Sequence, residues 1–299
     1  MRLRRSELST PGSSEKMMAK AAGSDADLVF LDLEDSVAPN AKAGARAGIV
    51  AALNGLDWGD KTRAVRINNL ETPFAWRDII EVVEGAGESL DIIIVPKIKA
   101  ARDVWWVDVL LSQMEEALGL TRRIGLEVLI EEVEAMIDVE NIARASDRLE
   151  AIIFGPGDYS ASQGIRVTDI GGTSEGYPGD LWHYARNKIA IAARAAGIDA
   201  IDGPYANFGD PDGYRREAAR AATLGFAGKW AIHPSQIAPG KEIFSPTREE
   251  VDRARRLCRA YAEAEEKGLG AVAVEGTMVD AASVRVLQNT VRKADLIGM

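Results

Sequence analysis

One cysteine, two histidines, a deficit of basic residues and no long apolar run set the first limits on this chain. Cys258 has no partner to form an internal disulfide, and its place in a helix-like stretch, 251–266, marks it as packed rather than reactive. A reducing, cytoplasmic setting is therefore expected. His183 and His233 are too few for a histidine-rich zinc site, and no strand-borne nucleophile elbow supports a Ser-His-Asp triad. His233, in Ile232-His233-Pro234 at the end of the last expected strand, reads as a local hydrogen-bonding residue. Lysine and arginine number 36 against 46 aspartates and glutamates, a formal charge of −10, with a pI near 5.0. Nucleic acid and anionic membranes demand basic patches, so neither is expected as the main partner. The N-terminus is basic but lacks a following apolar run, which argues against a signal peptide, and nothing approaches membrane-spanning length.

What is present is apolar in quantity. With 299 residues and 46% hydrophobic content the chain can bury one large core, with a small appendage, and disorder is excluded. Apolar runs bounded by turn residues predict eight strands, at 5–10, 27–33, 63–68, 91–96, 124–131, 149–154, 199–202 and 228–232. Helical patterns fall between them at 14–22, 41–54, 73–84, 104–117, 132–145, 179–196 and 212–224. Eight such alternations fit an α/β (β/α)8 TIM barrel better than an open doubly wound sheet. The predicted catalytic barrel covers 1–245. The remainder, 246–299, is a C-terminal helical extension: a charged helix at 247–267, an apolar run at 271–274, a turn at Glu275-Gly276 and a last helix from about Asp280.

Nearly every predicted strand ends in a polar or Gly/Pro cluster, and in a parallel barrel those ends share the face where active sites are built. The run Ile-Gly-Leu-Glu-Val-Leu-Ile-Glu, 124–131, delivers Glu131 to that rim, and the next run leads into Gly155-Pro156-Gly157-Asp158. Two acids side by side repel each other unless a divalent cation with oxygen ligands gathers them. Glu131 and Asp158 are therefore the candidate ligands of Mg²⁺, with Mn²⁺ as the alternative ion. Capping of the next helix is the competing account of such acids. Against it, Gly155, Pro156 and Gly157 suggest backbone that a substrate approaches closely.

Asp32, Glu34 and Asp35 add three acids at the second strand's exit, suited to pairing with a cation, meeting the metal through water or, for Asp35, capping a helix. Arg66 stands in the otherwise apolar Val-Arg-Ile-Asn, must be paired there, and reads as a group stabilising charge that develops on a substrate oxygen. Lys97 has two readings, a Schiff-base lysine or a salt bridge with the acids around it, and a metal-assisted route removes the need for the first. The Gly-rich segment 164–180 reads as a mobile loop or lid.

These pieces resemble the citrate lyase β-subunit-like branch of the HpcH/HpaI aldolase superfamily, and within it the malyl-CoA and β-methylmalyl-CoA lyases. The matching motifs are PGS at Pro11, LDLEDSVAP from Leu31, GLDWG from Gly55, VRIN at Val65, IVPK at Ile94, EVLIE ending at Glu131, FGPGDY at Phe154, IDGPY at Ile201 and GKWAIHPSQ from Gly228. They keep their order along nearly the whole chain. The resemblance implies a Mg²⁺-dependent barrel assembled as a homotrimer or homohexamer, with Glu131 and Asp158 at the metal positions and Arg66 as the catalytic arginine. It implies that the extension closes over a neighbouring subunit's site, carrying Asp280 as a catalytic acid–base, a role that spacing alone does not reveal. It also places Lys20 near the phosphates of coenzyme A, and His233 and Pro234 among the cofactor-binding positions. The chain departs from the pattern at Ser14, where many relatives carry arginine, and after Glu131, where Glu132, Val133, Glu134 and Ala135 replace a small hydroxyl residue and a glycine.

The implied reaction is reversible carbon–carbon cleavage of a 3-hydroxyacyl-CoA thioester to acetyl-CoA or propionyl-CoA and glyoxylate. Three other readings compete: hydrolysis of malyl-CoA, cleavage of citramalyl-CoA or citryl-CoA, and a non-catalytic component of a larger complex.

Overall fold

The computed structural model describes residues 2–166 and 179–299. Strands β1 (Ser6–Pro11), β2 (Leu28–Asp32), β3 (Thr62–Arg66), β4 (Ile92–Val95), β5 (Gly125–Ile130), β6 (Leu149–Phe154), β7 (Asp199–Asp202) and β8 (Gly228–Ala231) form a closed barrel in chain order. All pairings are parallel, and β8 returns to β1 from Ser6↔Lys229 to Leu8↔Ala231. This is the (β/α)8 barrel expected from the alternation of runs. The strands are β-branched and apolar because both of their faces are covered; every residue of β4, Ile-Ile-Ile-Val, is buried.

Alternation along each strand selects the barrel's inner face. Leu28 and Phe30, Ala64, Ile92 and Ile94, Leu129, Ala151 and Ile153, Ile201 and Trp230 form one buried cluster. Arg66 lies two residues beyond Ala64 and Glu131 two beyond Leu129, so both continue that face at the strands' C-terminal ends. Its lower end is charged. Arg4 donates to Glu127 at 2.8 Å, Glu150 at 2.5 Å and Asp199 at 3.2 Å. Glu7 and Glu127 are completely buried, and each has one oxygen without a hydrogen-bond partner. The other Glu7 oxygen accepts from Trp230 Nε1 at 2.9 Å.

The barrel's helices are α1 (Glu15–Ala22), α2 (Lys42–Gly55), α3 (Ala75–Ala86), α4 (Ala101–Leu118), α5 (Val133–Ile137), α6 (Val139–Ile142), α7 (Pro156–Gln163), α8 (His183–Ala196) and α9 (Pro211–Leu224), followed by α10 (Ile237–Phe244). The single helix expected at 132–145 is two short ones. Asp138 ends the first and starts the second, its side chain accepting from Asn141 Nδ2 at 2.6 Å and Ala101 N at 3.3 Å, the kind of local bonding that competes with a helix. The helix expected from 179 begins at His183, and most of the loop expected at 164–180 lies outside the described residues. Behind β7 and β8, Lys229 Nζ is buried against Asp202 and Glu217, each at 2.6 Å, and Gly203 O at 2.7 Å, while Arg186 Nε donates to Asp202 at 2.9 Å.

The chain divides into two compact units, one ending at Lys241 and the other Glu242–Met299. The second contains α11 (Arg248–Glu266), β9 (Ala271–Val274), β10 (Thr277–Asp280) and α12 (Ala281–Leu296), with β9 and β10 paired as an antiparallel hairpin. The sequence predicted only the apolar run of β9. A four-residue strand such as β10 becomes visible only through its partner. Among the described residues no helix is long and apolar enough to cross a membrane.

Candidate active site

Two neighbouring strands bring one cation and its acids together. Register pairs Asp32 directly with Arg66 across β2 and β3. Arg66 Nε donates to Asp32 Oδ1 and Nη2 to Oδ2, both at 2.7 Å, a two-point grip that fixes the guanidinium plane. Its Nη1 lies 2.9 Å from Glu34 Oε2 and 3.4 Å from Asp35 Oδ2. The Glu34 contact is ionic only, since Oε2 receives no aligned hydrogen bond. Phe30 and Trp230 present their rings to the guanidinium at 5.9 and 5.5 Å. Burial opposes the charge on Arg66, but Asp32 and its neighbours raise the guanidinium's pKa, so it stays a cation. Burial likewise opposes ionisation of Asp32. Arg66, Ser36 and the Glu34 N–H outweigh it and hold this carboxyl below its ordinary range.

The loop after β2 is pinned by a residue the sequence reading passed over. Lys42 Nζ, buried in the first turn of α2, donates to Leu33 O at 2.7 Å and Glu34 O at 2.8 Å. Asp35, for which helix capping was one reading, instead faces Arg66 and Lys97.

Glu131 follows β5 and is only 2% exposed. Its Oε1 accepts from the Lys97 backbone N–H at 2.9 Å. Burial first, then the charge of Glu34, push this carboxyl up to about 8, with Lys97 acting in the opposite direction and Asp158 in the same one. A Cβ added to Gly155 would fall against Glu131 Oε2 and Cβ, so glycine leaves the room this carboxylate occupies. Asp158 sits in the first turn of α7, a helix not expected from Gly-Pro-Gly-Asp, although proline at the start and an acid in the first turn are helix-start signals. Its side chain is 47% exposed and its Oδ1 lies 3.8 Å from Lys97 Nζ. The extra acid, Glu132, does not join them through its bonded oxygen: Oε2 accepts from Ser162 Oγ of α7 at 2.8 Å, and that hydroxyl accepts from Val133 N at 3.0 Å.

Lys97 is the residue that connects these acids. Its Nζ donates to Glu34 Oε1 at 2.7 Å and to Asp35 Oδ1 at 3.4 Å. Those partners raise its pKa against the opposing effect of burial, which suits a salt bridge and not a Schiff-base amine. Its φ of 48° is left-handed, a conformation costing roughly 1–2 kcal/mol for a residue with a Cβ.

The other predicted positions lie on separate elements. Lys20 is exposed in the last turn of α1, whose N-cap is Ser14, accepting from Met17 N at 3.3 Å. Capping gives Ser14 a structural use of its own. His233 is exposed, stacks on Phe208 with ring centroids 5.1 Å apart, and accepts from Ser235 N at 3.2 Å, while Pro234 begins the short turn that follows. Gly155 and Pro156 are buried and Gly157 is partly exposed. In the second unit Asp280 is the N-cap of α12, accepting from both Ser283 N and Oγ at 2.8 Å. Those bonds, the backbone one first, lower its pKa and keep it ionised.

Among the described residues no three His, Cys, Asp or Glu side chains gather into an all-protein metal cage. Glu131 and Asp158 instead fit a hard cation that takes one or two carboxylates and keeps positions open for water and substrate oxygens, as Mg²⁺ does.

A family model described as HpcH/HpaI aldolase/citrate lyase matches residues 5–234. An L-malyl-CoA/β-methylmalyl-CoA lyase from Cereibacter sphaeroides is 45% identical over 98% of this chain and 95% of its own. A malyl-CoA/β-methylmalyl-CoA/citramalyl-CoA lyase from Chloroflexus aurantiacus is 32% identical over 91% of this chain and 82% of its own. The crystal structure of protein CitE from Mycobacterium tuberculosis, in complex with magnesium, acetoacetate and coenzyme A, superposes with a TM-score of 0.76 at 29% identity, covering 97% of each chain.

Proposed function

Because the chain belongs to the HpcH/HpaI aldolase/citrate lyase family, we propose that it is a Mg²⁺-dependent carbon–carbon lyase acting on malyl-CoA or β-methylmalyl-CoA. Cleavage gives glyoxylate with acetyl-CoA or propionyl-CoA, and the reverse reaction condenses them. The observation that carries this reading is the 45% identity to an L-malyl-CoA/β-methylmalyl-CoA lyase across nearly both chains. The acidic rim beside a rigid buried arginine supplies chemistry suited to it.

Glu131 and Asp158 would hold the ion, which when bound supplies Lewis acidity toward the α-hydroxy acid's oxygens. In cleavage the hydroxyl proton passes to solvent, the carbon–carbon bond breaks, and its electrons pass into the thioester enolate. Arg66 faces the oxygen on which negative charge develops. Its plane is set in advance by Asp32, so little reorganisation accompanies the reaction. Asp280, from the extension of a neighbouring copy in a homotrimer or homohexamer, takes up a solvent proton and passes it to the enolate carbon, and in condensation removes that proton as the carboxylate. Lys20, His233 and Pro234 bind the coenzyme A portion, while the Gly155-Pro156-Gly157 backbone meets the acyl end. One cysteine and no membrane-crossing helix among the described residues agree with work in the cytoplasm.

Product analysis tests the reaction. Purified protein with MgCl₂ and malyl-CoA is expected to release glyoxylate and acetyl-CoA; malate and free CoA would identify a thioesterase, and no turnover would refute an autonomous enzyme. Asp280→Asn is expected to keep fold and Mg²⁺ binding while abolishing turnover, and unaltered turnover removes its assigned role.

A further inference from the structure

The rim's carboxylates outnumber its cations. Asp32, Glu34, Asp35, Glu131 and Asp158 face Arg66 and Lys97; Arg66 approaches Glu34 and Asp35 at 2.9 and 3.4 Å but gives Asp32 its two shortest hydrogen bonds, both 2.7 Å. Lys97 engages the others: Nζ lies 2.7 Å from Glu34, 3.4 Å from Asp35 and 3.8 Å from Asp158, and the backbone N–H is 2.9 Å from Glu131. Its backbone is left-handed. Glycine would take that conformation with less strain and still present the N–H to Glu131, so what lysine adds is the ammonium.

We propose that Lys97 is the internal counter-ion of this rim, holding its acids together and competing with the divalent cation for them, so that it weakens metal binding. An ion on Asp158 and Glu131 repels an ammonium already within 3.8 Å of Asp158, and the positions of the two cations are therefore coupled. The competition sets how readily the ion is exchanged. The inference rests on Glu131 and Asp158 as metal ligands and is independent of which thioester is cleaved.

The test is calorimetric titration of EDTA-stripped full-length protein with MgCl₂, for the wild type, Lys97→Met and Lys97→Arg, with unfolding temperatures measured with and without the ion. Lys97→Met is expected to bind Mg²⁺ at least about tenfold more tightly, the scale on which one nearby charge acts on such groups. It should melt lower than the wild type in EDTA and gain more from added Mg²⁺. Lys97→Arg, which keeps the charge, should stay close to the wild type. Equal or weaker binding by Lys97→Met overturns the proposal. If that variant does not fold, trace acetylation of the wild type decides: Lys97, 18% exposed at its side chain, should become more reactive at saturating Mg²⁺, and constant or falling reactivity overturns the idea. A wild type that binds no Mg²⁺ overturns the metal reading and this proposal together, an outcome visible before any variant is compared.

Discussion

Gly155→Ala probes the room on which the candidate ion site depends. The added Cβ would lie 2.6 Å from Glu131 Cβ and closer still to Oε2, whereas ordinary contact begins at 3.4 Å. The backbone there, φ −99° and ψ 83°, is open to alanine, so the effect is steric and not conformational. Glu131 Cβ is fixed at the end of β5 and cannot rotate away, so the two segments must separate by about 0.8 Å. Overpacking of this kind costs about 1–3 kcal/mol. At roughly 2–4 °C per kcal/mol for a large domain, the unfolding temperature should fall by about 2–12 °C. The displacement is also large against the narrow distance range that Mg²⁺ accepts, so affinity in a calorimetric titration should fall on the order of tenfold or more. Gly44→Ala is the matched control: it lies within α2 with nothing within 4 Å of the added carbon, and should stabilise by about 0.5–1 kcal/mol without altering binding. A Gly155→Ala protein that binds Mg²⁺ like the wild type would refute the placement of Glu131 in the site.

Two further substitutions test the rest of the barrel. Glu7 is held well above the usual carboxyl range, by burial first and then by Glu127. A raised folded pKa contributes stability that is present below the unfolded value and lost as pH climbs toward the folded one. Glu7→Gln, which can still accept from Trp230, should therefore melt higher than the wild type near pH 8 and show no such advantage near pH 5; identical melting differences at both would count against the buried acid. Asp202→Asn would leave Lys229 and Arg186 short of their shared carboxylate, and urea unfolding should show a loss of about 3–5 kcal/mol. A loss below about 1 kcal/mol would mean that Glu217, 2.6 Å from Lys229, and Asp180, 2.9 Å from Arg186, suffice.

The eight strands could be read because each is an apolar run that stops at a polar or Gly/Pro cluster, and the same stops led to Arg66, Glu131 and Asp158. Helix α7 was missed although Pro156 and Asp158 are helix-start signals, since glycine and serine give the rest of its eight residues the composition of a loop. The division between α5 and α6 centres on Asp138, whose bond to Asn141 is local but whose bond to the first N–H of α4 is tertiary and leaves no trace in the local sequence. Lys97 was visible as a lysine after a proline, but its left-handed backbone and its four acidic neighbours come from β2, β5 and α7, and only folding brings them together. Asp280 had no signal in spacing, and its candidacy came from resemblance to the family.

Arg4 ties together staves contributed by β5, β6 and β7, the last of them 195 positions away along the chain. The barrel is thus latched from beneath by the residues that lead into β1. Removing them would strip the cation from Glu127 and leave that carboxylate sealed in without a partner.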